Sequence, residues 1–467
     1  MIGGLLGGEV MDAFVSLHFS GAPKIVVEPP GPVAREILEK QGRYEGNTVL
    51  YPRTLPLVPE EAKGATIKDV DGNIYIDFLS GISVLNFGYS NPTILKTTIE
   101  QLKKLTHTLD FPSKPREELA KRLVEIAPGE LKNNAKVVFG GPTGSDAVEA
   151  AVKLAKYYTK RHVILAFEGS YHGQTTTALA LTSGKKLKDP YTPLGPEVHF
   201  APYAYCYRCP FKLEHPECGV RCAEYVEHIL EDPNSGVPTP AAIIVEPIQG
   251  EGGIVVPPDK FLQKLREITK KYEVLFIVDE IQSGMGRTGK WFACEHFNVS
   301  PDIMTVAKSV GGIGLPLAGI VYNKSLDVWV PGSHIGTFRG NVVAMAAGAA
   351  AIDFANETKL LDHVEKLGEK TLKYLKDLAE ESKYIGEVRG KGLMIGIEIV
   401  KDKETKEPSK ELTAKIQLKC FKKGLIVWKA GHYANVVRFL PPLVITEELM
   451  EKGLEIFRNS LKEVEKE

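Results

Sequence analysis

Three stretches place residues able to do chemistry where a buried strand should end. IVDEIQSGMGRTGKW, at 277–291, closes an apolar run on Asp279. IMTVAKSVGGIG, at 303–314, leads a second apolar run to Lys308, ahead of a glycine-rich bend. GGPTGSDAVEAA, at 140–151, passes from a short strand through Gly140 and Gly141 to Thr143, Gly144 and Ser145, then into a helix. An aspartate is rarely buried without a charged or hydrogen-bonding partner. A lysine held in apolar surroundings loses basicity and becomes an amine nucleophile for carbonyls. A helix start with glycines and hydroxyls forms a cradle for phosphate.

Each feature alone has a plainer role. Asp279 or Lys308 could be a strand-end charge reaching solvent, and Thr143 or Ser145 a simple N-cap. The cradle is not a P-loop, because no lysine follows its last glycine. Taken together at the strand ends of one parallel sheet, where ligands bind, the three features meet the needs of one cofactor. Pyridoxal phosphate brings a phosphate, a pyridine nitrogen to protonate and an aldehyde to trap.

The surrounding elements are those that would hold such a site. HVILAFEG, AAIIVEPI and VLFIVDEI are short apolar runs of the kind buried on both faces of a parallel sheet. Helical patterns alternate with them: EELAKRLVEIAP, SDAVEAAVKLAKYYTK and FLQKLREITKKYE. That succession predicts an α/β fold with a mostly parallel sheet covered by helices. ATIKDVDGNIYIDF reads as a hairpin about Asp71-Gly72, and GLMIGIEIV and GLIVWKA as strands near the C-terminus. Residues 1–85 are expected to form an N-terminal arm and part of a small domain. Residues 86–344 would be the large domain, and 345–467 the rest of the small one.

The motifs resemble those of the class III aminotransferases, the fold type I pyridoxal-phosphate family that includes ornithine, 4-aminobutyrate and diaminobutyrate aminotransferases. The resemblance runs from about residue 30 to 460. It is strongest in DEIQSGMGRTGKWFACEHFNVSPDIMTVAKSVGGIGLPLAG, while GPTGSDAVEAA, LNFGYSNP and GTFRGN look most like the diaminobutyrate branch. It implies a large domain with a seven-stranded, mostly parallel sheet and a small α+β domain built from both chain ends. It also implies pyridoxal phosphate bonded to Lys308, with Asp279 on the pyridine nitrogen and Gln282 on the ring oxygen. Gly144 and Ser145 would hold the phosphate, with Thr337 of a neighbouring subunit, so a homodimer or larger homo-oligomer is implied. Tyr171 would stack on the ring, and His172 would support the site from behind. Glu246 would be the gating glutamate that pairs with or releases an arginine, and Arg438 would receive a substrate carboxylate.

One departure concerns substrate choice. Several relatives carry an arginine where this chain has Gln174, and a neutral amide cannot make that charge-assisted pair. The expected reaction is amino-group transfer from an amino acid, including a diamino acid, to a 2-oxo acid. The alternative is a racemase or epimerase acting on neutral amino acids.

Composition excludes other classes. Lys plus Arg is 58 and Asp plus Glu 59, a net charge of −1 that leaves no footprint for nucleic acid or an anionic membrane. No apolar run is long enough to span a bilayer, and a cytoplasmic location is expected. Cys206, Cys209, Cys218 and Cys222 cluster in CYRCPFKLEHPECGVRC, a spacing open to zinc, to two disulfides or to a pinned loop without chemistry. The pinned loop is favoured, and no metal is expected in the catalytic site.

Overall fold

The computed structural model describes residues 14–467; the first part of the expected N-terminal arm lies outside them. Its largest sheet has seven strands, in the order Ala135–Gly141, Ala318–Asn323, Ile303–Val306, Leu275–Asp279, Ala242–Val245, Ile164–Phe167 and Val198–Ala201. The five strands from Ile303–Val306 to Val198–Ala201 run parallel. Ala318–Asn323 is antiparallel to both of its neighbours. The apolar runs that prompted the parallel reading are buried along their whole length at 164–167, 242–245, 275–279 and 303–306. Helices cover them: Gly144–Thr159 buries an alanine-rich stripe, and Asp259–Lys271 buries Phe261, Leu262, Leu265 and Ile268. Every parallel strand therefore delivers its C-terminal end, and the loop after it, to one side of the sheet.

Two further sheets stand beside this layer. Pro59–Lys63, Thr66–Asp69 and Ile74–Asp77 form a meander whose last strand pairs in parallel with Leu425–Ile426, so both ends of the chain share it. The turn at Asp71-Gly72 joins antiparallel strands, as its sequence predicts, and Gly72 has a φ of +89°. Ile385–Lys391, Met394–Asp402, Val436–Phe439 and Trp428–Ala430 make up the third sheet, with Glu407–Pro408 on its flank. GLIVWKA is thus divided between sheets: Leu425–Ile426 joins the meander and Trp428–Ala430 the third sheet.

Arg287 fastens these parts together from a fully buried position. It donates to the carbonyls of Leu393 (3.1 Å) and Pro441 (2.6 Å), to Ser80 Oγ (3.2 Å) and to Asn86 Oδ1 (2.5 Å). These acceptors come from both chain ends. Removing the guanidinium would leave them buried and unpaired, so Arg287→Ala should cost about 3–5 kcal/mol. A denaturant midpoint equal to that of the unmodified protein would show that the acceptors find other partners.

Candidate active site

The parallel strand ends gather the residues expected from sequence. Asp279 terminates its strand, and Lys308 follows the neighbouring one. Glu246 follows Ala242–Val245, while Tyr171 and His172 lie in the loop after Ile164–Phe167. Lys308 has a φ of +54°, a left-handed backbone that a non-glycine residue adopts at a cost of about 1–3 kcal/mol, and such strain clusters at functional sites.

Asp279 is buried and its carboxylate is fixed on both oxygens. Thr305 Oγ1 donates to Oδ1 at 2.9 Å and the Ile281 amide at 3.1 Å, while His172 Nδ1 lies 2.6 Å from Oδ2. Thr305 reaches it because the two residues are register partners on adjacent strands. Burial works against a charged His172, but the hydrogen bond and charge of Asp279, helped by Glu246, raise its pKa.

Burial is the largest influence on Lys308 and pushes its amine down to about 8. The charges of Glu251, Arg438, Asp279 and Glu246 all act on it, which places these residues around one centre. Carbonyl capture needs the free amine. Its rate in cofactor-free protein should climb roughly tenfold per pH unit below the pKa and level off above about 8. Following cofactor absorbance after mixing would check this; a plateau reached only near the ordinary lysine value would contradict it.

Glu246 has a different place from the one expected. Its carboxylate accepts from the Tyr171 amide (3.1 Å) and the Gly250 amide (3.0 Å), joining two active-site loops. Burial raises it to about 7. The carboxylate that pairs with an arginine is Glu251, 2.5 Å from Nη1 of Arg438. Two glutamates sit five positions apart in VEPIQGEGG, and spacing alone could not choose between them. Only the chain reversal closed by Gln249 and Val255, which exchange backbone hydrogen bonds, turns the second toward Arg438.

The remaining residues fall into two groups. Ser145 lies in the first turn of helix Gly144–Thr159, where its Oγ accepts from the Gln174 amide at 3.2 Å. Gly173 lies against it so closely that a Cβ would collide with that oxygen. Gln282 is buried, with Nε2 3.5 Å from Glu251 and Oε1 without a partner among the described residues. Tyr171 is half-buried, and its hydroxyl accepts from Gln174 at 3.4 Å. Thr337, by contrast, is exposed, on a surface stretch lining a cavity of about 360 Å³ with Asp110, Arg116 and Phe139. Tyr51, which carried no sequence signal, comes from the N-terminal region to lie tilted against Trp428 (ring centroids 5.0 Å apart, planes at 48°), within reach of the charges of Glu251 and Arg438.

These residues fit pyridoxal phosphate. A depressed amine and an anchored anion stand at neighbouring strand ends, and a helix start with a serine lies close by. The buried oxygen of Gln282 has no other partner among the described residues. The four clustered cysteines are free thiols around a small cavity. Among the described residues no three His, Cys, Asp or Glu side chains converge as a metal site.

Comparison with known proteins agrees with this geometry. Residues 50–461 match the family described as Aminotransferase class-III. A diaminobutyrate–2-oxoglutarate aminotransferase of Haemophilus influenzae is 41% identical over 436 residues, covering 91% of this chain and 95% of its own. An alanine/serine racemase of Pyrococcus horikoshii is also 41% identical, over 448 residues covering 94% and 93%. Among solved structures, a thermostable (S)-enantioselective omega-transaminase from Thermomicrobium roseum superposes with a TM-score of 0.84 at 31% identity. It covers 92% of this chain and 99% of its own. The fold is that of a fold type I pyridoxal-phosphate enzyme. The chain belongs to the class III aminotransferase family, whose reaction is amino-group transfer between an amino acid and a 2-oxo acid.

Proposed function

We propose that the protein moves an amino group from a diamino acid to a 2-oxo dicarboxylate, and that Arg438 reads the acceptor. The state of Arg438 carries this reading. It is fully buried and bonded through Nη1 to Glu251, while Nε and Nη2 have no partner among the described residues. Unsatisfied buried donors cost about 1–3 kcal/mol each, and a carboxylate held by the guanidinium fork would satisfy them. Glu251 is the reversible partner. Burial alone would neutralise it, but the charge and hydrogen bond of Arg438 prevail and lower its pKa. Paired, the two suit a substrate without an acidic side chain; separated, they expose Arg438 to one that has it. The Haemophilus relative's name combines diaminobutyrate with 2-oxoglutarate, a donor and an acceptor of these two kinds.

Bound pyridoxal phosphate supplies an electron-accepting ring that stabilises the substrate α-carbon once its proton has left. The chain supplies the rest. Lys308 takes that proton and returns it elsewhere. Asp279, fixed by Thr305 and His172, would hold the pyridine nitrogen of the bound cofactor. Ser145 and the helix start would hold its phosphate. Thr337 is assigned to the phosphate site of a second subunit, in keeping with its exposure, and the working unit is a homodimer.

Racemisation of neutral amino acids is the second reading. A cavity of about 740 Å³ beside Tyr51 favours it, with Leu55, Leu57, Ile82 and Trp428 in its apolar lining. The neutral Gln174 and the racemase from Pyrococcus point the same way. Incubation with single L-amino acids, with and without 2-oxoglutarate, separates the two. The expected result is one turnover per site without acceptor and sustained turnover of diaminobutyrate or ornithine with it. Continued formation of the D-enantiomer without acceptor would replace aminotransfer by racemisation.

A further inference from the structure

Outside the catalytic centre, a second cluster of buried charge grips the loop that carries Glu251. Its middle is Glu398, whose side chain is fully buried, beside Arg389, whose side chain is 8% exposed. Arg389 Nη1 donates to Glu398 at 2.6 Å and to Glu387 at 2.5 Å. Arg208 Nε donates to Glu398 at 2.5 Å, Asn435 Nδ2 does so at 3.3 Å, and the Tyr205 hydroxyl makes a short bond to the same carboxylate. Arg389 also reaches the other way. Its Nη2 donates to the Gly253 carbonyl at 2.6 Å, and Nε to the carbonyls of Gly253 and Ile254, each at 3.1 Å. Gly253 has a φ of +118° and packs against Gly431, whose amide donates to the Glu251 carbonyl at 2.9 Å.

Burying this much charge is expensive, and a hydrophobic replacement would often serve stability as well. What it provides is geometry. A planar guanidinium with five donors can hold two loop carbonyls and two carboxylates at once; an ammonium cannot. Tyr205 and Arg208 tie the cysteine-bearing segment to the third sheet, and Arg389 ties that sheet to residues 253 and 254. Glu251 lies two positions before them.

We propose that Arg389 and Glu398 are positioning residues. They set the place of the Glu251 loop and thereby the ease with which Arg438 is released to a substrate carboxylate. The proposal rests on the reading of Arg438 and Glu251 given above. Loosening the clamp weakens the hold of Glu251 on Arg438, so acceptors with a second carboxylate gain relative to those without one.

The test uses the holoenzyme with a good amino donor and two acceptors, 2-oxoglutarate and pyruvate. In Arg389→Lys, which keeps the charge but not the fork, the ratio of kcat/KM for 2-oxoglutarate to that for pyruvate should rise by up to about tenfold, with cofactor absorbance unchanged. Tyr205→Phe removes only the hydroxyl shared by Glu398 and Arg389, and should shift the ratio the same way by a smaller factor. Glu251→Gln should shift it as well. Combining it with Arg389→Lys should add little, because both changes act through one pair. Equal losses for both acceptors, or fully additive effects, would reduce the cluster to a structural role and overturn the proposal. Wild-type protein that transfers no amino group to either acceptor would overturn the reading of function instead.

Discussion

Lys308→Ala should abolish turnover, lowering kcat by about four orders of magnitude or more while leaving the fold intact. In the proposed reaction the residue supplies the amine that bonds the cofactor and also the base that moves the substrate proton, and the proton-transfer part alone is worth about 10²–10⁴. No neighbour can replace it. Glu246 and Glu251 are acids already engaged with backbone amides or Arg438, and His172 is committed to Asp279. Alanine keeps the Cβ that makes the left-handed φ of Lys308 costly, so the strain is unchanged, while the buried amine and its desolvation are removed; thermal stability should not fall with activity. Steady-state and single-turnover rates, with a melting curve on the same preparation, check this. Activity within tenfold of wild type would mean that another group moves the proton.

Asp279→Asn should retain the cofactor yet lose about 10²–10³ in rate, the usual cost of removing one preorganised charge from an active site. The amide is close in shape but wrong in charge. It could still accept from Thr305 and Ile281 through its oxygen, but its NH2 group would face His172 where a carboxylate oxygen stands now. The anion proposed to face the pyridine nitrogen would be gone, and with it the main support of the raised His172 pKa. Activity should be recovered only when aspartate is restored. An unchanged rate would place the counter-charge elsewhere.

What the sequence disclosed, and what it concealed, follows from the range of each interaction. Asp279 and Lys308 were legible because each ends a run of buried apolar residues, and a charge after such a run has few explanations. The parallel strands were legible for the same reason. Ala318–Asn323 was harder to place, since its antiparallel pairing depends on strands far away in the chain. Glu251 was concealed because pairing with Arg438 needs a chain reversal at one end and a strand from another sheet at the other. Thr305 is a polar residue inside IMTV, a faint signal that gained meaning only when register set it beside Asp279. Tyr51 had no local pattern at all.

The clamp of Arg389 and Glu398 belongs to the concealed class. Its members come from residues 205–208, 253–254, 387–398 and 435, and nothing in any one stretch announces the others. Buried charge of this density has to be satisfied from several directions, which only the folded chain can do.

The most direct measurement is to reduce the purified holoenzyme with borohydride and map the modified peptide by mass spectrometry. The geometry predicts one pyridoxyl group, on Lys308 in the peptide containing AKSVGG. A label on any other lysine, or none after loading with pyridoxal phosphate, would contradict it.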